Sequence, residues 1–132
     1  MRIITFLLIL GTFACTSKMA EKSTVATPER VLRHVVMFKF KDGTTPAQVR
    51  EIERAFAGLQ PQLPHLIKDF EFGTNNSPEG LDQGLTHCFL VTFANEKDRD
   101  AYLPHPVHQK FVDDYAKKYV DKVTVLDYWS GR

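Results

Sequence analysis

The stretch from Arg33 to Lys41 constrains the fold more than any other. His34, Val36, Phe38 and Phe40 alternate onto one face, with Val35 and Met37 on the other ahead of Lys39 and Lys41. A period of two is the period of a strand. Both faces are apolar at the centre, so this strand needs cover on both sides. A sheet with one wet face keeps polar residues along that face. One covering layer must come from the rest of this chain, and a second from elsewhere.

The rest of the chain supplies the first layer. Thr45-Pro46-Ala47-Gln48 has the pattern of a helix start, with Thr45 as N-cap, Pro46 at the first helical position and Gln48 closing a capping box. Val49, Ile52, Phe56 and Leu59 recur at helical spacing, with Ala55 beside them, until Pro61 and Pro64 stop the helix. Ile67 to Gly73 reads as a second strand with Phe70 and Phe72 on one face, and 74–84 as a loop. Thr86 to Phe93 alternates cleanly, His87, Phe89, Val91 and Phe93 against Cys88, Leu90 and Thr92. Asn95 caps a short helix running to Tyr102. A longer one begins near Pro106 and runs to Val120, with His108, Phe111, Val112, Tyr115 and Tyr119 on one side. Val123 to Trp129 closes the chain as a strand.

The order β-α-β-β-α-β, with the second α split in two, predicts an α+β, ferredoxin-like domain: a four-stranded antiparallel sheet with helices on one face. The opposite face carries Val35, Met37, Cys88 and Leu90. Apolar faces of that size are normally covered by a partner, and a homodimer that closes two sheets into a barrel provides one. Cys88, in an apolar alternating stretch, reads as a buried structural cysteine.

At 132 residues the chain holds one domain plus extensions. Met1-Arg2 is a short positive start, and Ile3 to Leu10 is an apolar run interrupted only by Thr5. That run is shorter than the roughly 20 residues a membrane span needs, and fits an export signal. Ala14-Cys15 resembles the end of a bacterial lipobox, in which Cys15 is lipidated and becomes the new N-terminus; simple secretion is the other reading. The expected organisation is a lipoprotein-type signal peptide at 1–15, a flexible linker at 16–30 rich in Ser, Thr, Lys and Ala, and a domain at 31–132. Such a protein sits on the periplasmic side of the cell envelope, held to the membrane by acyl chains. Cys88 then stands alone, so no internal disulfide forms. A formal charge of +1, with no basic run carrying interleaved aromatics, argues against a nucleic-acid partner.

Four pieces then act together: His34 to Lys41, the Thr86-His87 opening of the third strand, His105-Pro106-Val107-His108 with Phe111, and the closing Val125-Leu126-Asp127-Tyr128. Their combination resembles the stress-responsive A/B barrel (Dabb) domain, a dimeric α+β barrel family, over Val31 to Trp129. Plant members of that family include stress-associated proteins and an olivetolic acid cyclase-like polyketide cyclase. In the cyclase a histidine of the His-Pro-x-His segment is the general base, assisted by a tyrosine a few residues earlier. The resemblance gives those positions to His108 and Tyr102. It matches two pocket-lining histidines to His34 and His87, and replaces a second pocket tyrosine by Phe56, which removes a polar handle.

The residues themselves allow that chemistry. His108 lies on the apolar side of its helix, and His34 and His87 share parity with the large apolar residues of their strands. If those faces meet the helices, three imidazoles and Tyr102 converge on one apolar cavity walled by Phe56, Phe89 and Phe111, where a small ligand is expected. A neutral imidazole takes a proton from a carbon beside a carbonyl, and a phenol stabilises the enolate oxygen. A cofactor-free cyclisation, isomerisation or lyase step on a small apolar carbonyl compound uses that pair. Binding without turnover is a second reading, and a non-enzymatic structural or stress-response homodimer, its histidines satisfied in the core, is a third. His105 reads as a structural cap before Pro106. No cysteine or carboxylate joins His105 and His108 at a metal-binding spacing, so no metal is expected. No glycine motif for a cofactor appears either. Asp127 either orients an imidazole or is a surface carboxylate near a strand end.

Overall fold

The computed structural model describes residues 30–131. The signal segment with Cys15, and the linker up to residue 29, lie outside the described residues. The elements are β1 (Leu32–Phe40), α1 (Pro46–Ala57), α2 (Leu59–Gln62), β2 (Ile67–Thr74), β3 (His87–Phe93), α3 (Glu96–Tyr102), α4 (Pro106–Phe111), a π-helical segment (Val112–Ala116), α5 (Lys117–Tyr119) and β4 (Val120–Trp129). The strands form one antiparallel sheet in the order β2-β3-β1-β4. This is the ferredoxin-like α+β arrangement the sequence predicts, with β1 in the interior of the sheet.

Local chemistry sets the helix boundaries. At the start of α1 the Gln48 N–H donates to Thr45 Oγ1 (3.3 Å), and the Thr45 N–H donates to Gln48 Oε1 (2.8 Å). These two bonds satisfy donors that a bare helix end leaves open. The stop falls at Gly58, ahead of both prolines, and Pro61 is accommodated inside the single turn of α2. A proline fits a first turn because its missing N–H has no partner to lose there. Asn95 caps α3 through the Asp98 N–H (3.0 Å), and His105 caps α4 by accepting the Val107 N–H on Nδ1 (3.2 Å). The expected long helix from Pro106 widens into a π turn after Phe111 and ends at Tyr119. Its exit is tied to the sheet, since the Lys41 N–H donates to the Tyr119 carbonyl at 2.8 Å, and Val120 is already extended.

Between helices and sheet lies an aromatic core. Phe56 of α1 packs on Phe89 of β3 (ring centroids 4.7 Å) and on Phe111 of α4 (4.6 Å), while Phe38 packs on Phe89 (5.1 Å). All four rings are buried. Burying such a side chain stabilises by about 1.5–3 kcal/mol, so this quartet holds the helical layer on the sheet.

The other face is open in the single chain. Val35, Met37 and Leu90 are only half-buried, and Leu126 and Tyr128 of β4 are exposed. Cys88, expected in the interior, is exposed on this face. The parity placed it on the second face correctly, but no layer among the described residues covers it. Val123 and Val125, on the helix side of β4, are also exposed, because the helical layer leaves that edge strand uncovered.

Candidate functional site

Three elements bring the site residues together. Tyr102 ends α3, His108 stands in the first turn of α4, and His34 faces the helices from β1. The short Leu103-Pro104-His105 connection reverses the chain, with the His105 N–H donating to the Tyr102 carbonyl at 3.0 Å. That turn lays the His108 ring against Tyr102, centroids 4.3 Å apart. His34 meets the same phenol edge-on at 6.4 Å.

The hydrogen bonds fix which nitrogen of each imidazole carries its proton. His108 Nδ1 lies 2.8 Å from the Leu103 carbonyl, which also accepts from Gln109 Nε2 at 2.8 Å. A carbonyl only accepts, so His108 carries its proton on Nδ1 and keeps a lone pair on Nε2. His34 Nδ1 lies 2.6 Å from Asp127 Oδ1. Asp127 Oδ2 accepts from the Arg99 guanidinium at 2.9 Å, and Arg99 is braced in turn by Asp100. Of the two roles open to Asp127, the structure thus gives it the orienting one, and the imidazole it orients is His34. His105 is the helix cap that the sequence indicated.

Tyr102 is the anomaly. Its side chain is fully buried, yet its hydroxyl has no hydrogen-bond partner among the described residues. An orphaned buried hydroxyl costs about 1–3 kcal/mol, and buried polar groups are rarely left so. Burial pushes the phenol well above its usual range, so it keeps its proton and has it free to donate to an acceptor. Burial also lowers the His108 pKa. The Leu103 bond opposes that shift without cancelling it, which favours the neutral base at pH 7.

The convergence expected of three imidazoles holds for two. His34 lies opposite Val91, whereas His87 lies opposite Phe38, four positions further along the same pair of strands. At the rise of a strand that is about 13 Å. His87 instead contacts Phe40 edge-on (4.9 Å), with Nε2 at 3.4 Å from Glu53 Oε1 of α1 and Nδ1 at 2.8 Å from Thr86 Oγ1. Phe56, Phe89 and Phe111 stand where a cavity between the two ends was expected, and they fill that space with their own rings. Two surface clefts lie elsewhere. One, of about 670 Å³, runs between the loop after β2 and the open face, over Met37 and Cys88. The other, of about 340 Å³, lies between α1–α2 and α4, beside Phe111 and Tyr115. Neither is lined by His34, Tyr102 or His108.

Glu53 and Arg99 are the site-region residues that sequence reasoning passed over. Each had a signal. Glu53 flanks the Val49–Ile52–Phe56 stripe, and Arg99 precedes Tyr102 by three residues, on the same helix face. Among the described residues, no group of three or more His, Cys, Asp or Glu is placed to hold a metal.

Comparison with known proteins decides the family. The description "Stress responsive A/B Barrel Domain" matches residues 32–130. The chain belongs to that family. A stress-response A/B barrel domain-containing protein of Arabidopsis thaliana is 36% identical over 97 residues, covering 74% of this chain and 87% of the relative. Olivetolic acid cyclase of Cannabis sativa is 31% identical over 97 residues, covering 74% and 94%. Among solved A/B barrel structures, the hydroxynitrile lyase of Passiflora edulis superposes with a TM-score of 0.72 at 25% identity, covering 80% of this chain and 97% of the lyase. A ferredoxin-like protein of Jannaschia sp., described as dimeric, gives 0.63 at 28% identity, covering 74% and 97%.

Proposed function

We propose that this A/B barrel protein holds a small apolar carbonyl compound against Tyr102, His108 and His34, and that His108 performs lyase- or cyclase-type proton transfer on it without a cofactor. The observation that carries this reading is the Tyr102 hydroxyl, a buried donor with no acceptor among the described residues, set beside an imidazole whose Nε2 is an acceptor. A carbonyl oxygen satisfies the phenol. His108 then takes a proton from the ligand's hydroxyl or from a carbon beside the carbonyl, and the phenol steadies the oxyanion that forms. Phe93, which packs against both His34 and Tyr102, would wall the apolar side. Relatives with cyclase and lyase names support the class of reaction.

The assay follows. A phenyl-bearing cyanohydrin loses its hydroxyl proton to His108, its carbon–cyanide bond breaks, and benzaldehyde and hydrogen cyanide leave. Benzaldehyde release is read by its near-ultraviolet absorbance. His108→Ala is expected to lower turnover by about 10²–10⁴-fold, with the circular dichroism spectrum unchanged. If the wild type neither turns over the cyanohydrin nor retains a carbonyl compound in native mass spectrometry, the non-enzymatic homodimer is the correct reading.

The same proposal includes a homodimer closed through the open sheet faces, supported by the uncovered Val35, Met37 and Leu90 and by the dimeric neighbour. Met37→Glu should convert a dimer to a monomer in sedimentation velocity. Export and lipidation at Cys15 belong to the proposal too, and rest on the leader sequence; intact-mass measurement of membrane-extracted protein tests them.

A further inference from the structure

Around one phenol, three polar atoms have no protein partner among the described residues: Tyr102 Oη, His108 Nε2 and His34 Nε2. Their donor and acceptor characters are fixed by what lies behind them. Tyr102 is a donor. The Leu103 carbonyl makes His108 Nε2 an acceptor. The Asp127 carboxylate holds a proton on His34 Nδ1 at 2.6 Å, so in the neutral imidazole His34 Nε2 is an acceptor as well. Asp127 cannot turn away, since its second oxygen is held by Arg99 at 2.9 Å. Arg99 and Tyr102 sit on one face of α3, so the same ion pair ties the helix that carries the phenol to the strand that orients the imidazole.

The geometry points to Arg99 and Asp127 as positioning residues that give the site a second acceptor. The ligand they select carries one acceptor oxygen flanked by two protons it can donate: a hydroxy ketone rather than a plain ketone. This rests on the carbonyl-binding reading above and names its ligand class. A plain ketone satisfies Tyr102 but offers nothing to His34. A hydroxy ketone gives its carbonyl to Tyr102, its hydroxyl to one Nε2 and an acidic C–H to the other. A ligand that covers His34 Nε2 and leaves it unpaired loses about a factor of ten or more in affinity.

The test has two readouts. Side-chain nitrogen NMR of the protein distinguishes the Nδ1–H form, the Nε2–H form and the imidazolium of each histidine directly. His34 and His108 are expected as Nδ1–H forms. In Asp127→Asn the amide donates to Nδ1, so His34 should switch to the Nε2–H form while His108 stays as it was. The second readout is affinity for a phenyl-bearing β-hydroxy ketone, its O-methyl ether and the parent ketone. Wild type should favour the hydroxy ketone by about tenfold, and Asp127→Asn should lose that preference without losing the parent ketone. Should Asp127→Asn fold poorly, Arg99→Gln frees the carboxylate and should blunt the same preference. A wild-type His34 found as imidazolium or Nε2–H overturns the proposal. So does a preference that survives both substitutions. Wild type that binds none of the three compounds, with tautomers as stated, instead sinks the carbonyl-binding reading and the ligand class with it.

Discussion

The helix-covered side of the sheet has two histidine ends, and they differ in one respect. At the His87 end every ring nitrogen has a neighbour: Glu53 faces Nε2 and Thr86 faces Nδ1. At the His34 end, among the described residues, both imidazoles are pinned through Nδ1 alone and the phenol beside them has no partner. Both ends are largely buried, and both hold a carboxylate. Burial and residue type therefore do not tell a site from a core. Saturation does. A closed set of hydrogen bonds needs nothing further, whereas the open valences at the His34 end are what the proposed ligand would fill.

The strongest way to break the comparison is to remove what separates the ends. Phe89 is fully buried against Phe38, Phe56 and Phe72. Phe89→Ala should cost about 3–5 kcal/mol in urea unfolding and should shift the side-chain resonances of His34 and His87 alike. A loss below about 1 kcal/mol would show that the ring quartet is not what holds the helical layer. Next comes the saturated end. Glu53→Ala strands a largely buried His87 nitrogen and should destabilise by about 1–3 kcal/mol, while affinity for a hydroxy ketone at the other end stays unchanged. Weakened ligand binding in that variant would mean that the two ends form one site.

Much of this was legible in the chain, and what was not has a common cause. Strand parity put His34, His87 and Phe89 on one face, and the capping chemistry of Thr45, Asn95 and His105 located three helix starts. Parity gives the face of a residue but not its position along the sheet. His34 and His87 share a face, so they looked like neighbours, and only the register separates them. The Asp127–His34 bond was hidden for the same reason, since it joins residues 93 positions apart. Cys88 shows the converse. Its face was right, but its burial depends on a layer that the described residues do not supply.

A smaller effect, with opposite sign, sharpens the comparison. Tyr102→Phe deletes a hydroxyl that has no partner among the described residues. Its stability should stay the same or rise, by up to about 1 kcal/mol, while hydroxy-ketone affinity falls. A functional loss coupled to a stability gain is the signature expected of a group kept for a ligand. Tyr102→Phe that unfolds more readily than wild type would instead place an unseen partner on that hydroxyl.

The smallest expected effect is the response to acid. Burial lowers the pKa of both His87 and His108, with Glu53 opposing the shift at one end and Leu103 at the other. A histidine harder to protonate in the folded state than in the unfolded chain, where its pKa is about 6.5, leaves the unfolded chain holding more protons between those two values. Stability then rises with pH across that window and is lost as the pH falls below about 6.5. The melting temperature should therefore drop modestly between pH 7.5 and pH 5, and His108→Gln and His87→Gln should each flatten part of the slope. The two ends separate in the ligand response. Acid must also remove the hydroxy ketone, because protonation turns His108 Nε2 from acceptor to donor, and His87→Gln should leave that binding profile untouched. A binding profile that moves with His87 instead of His108 would assign the open valence to the wrong end of the sheet.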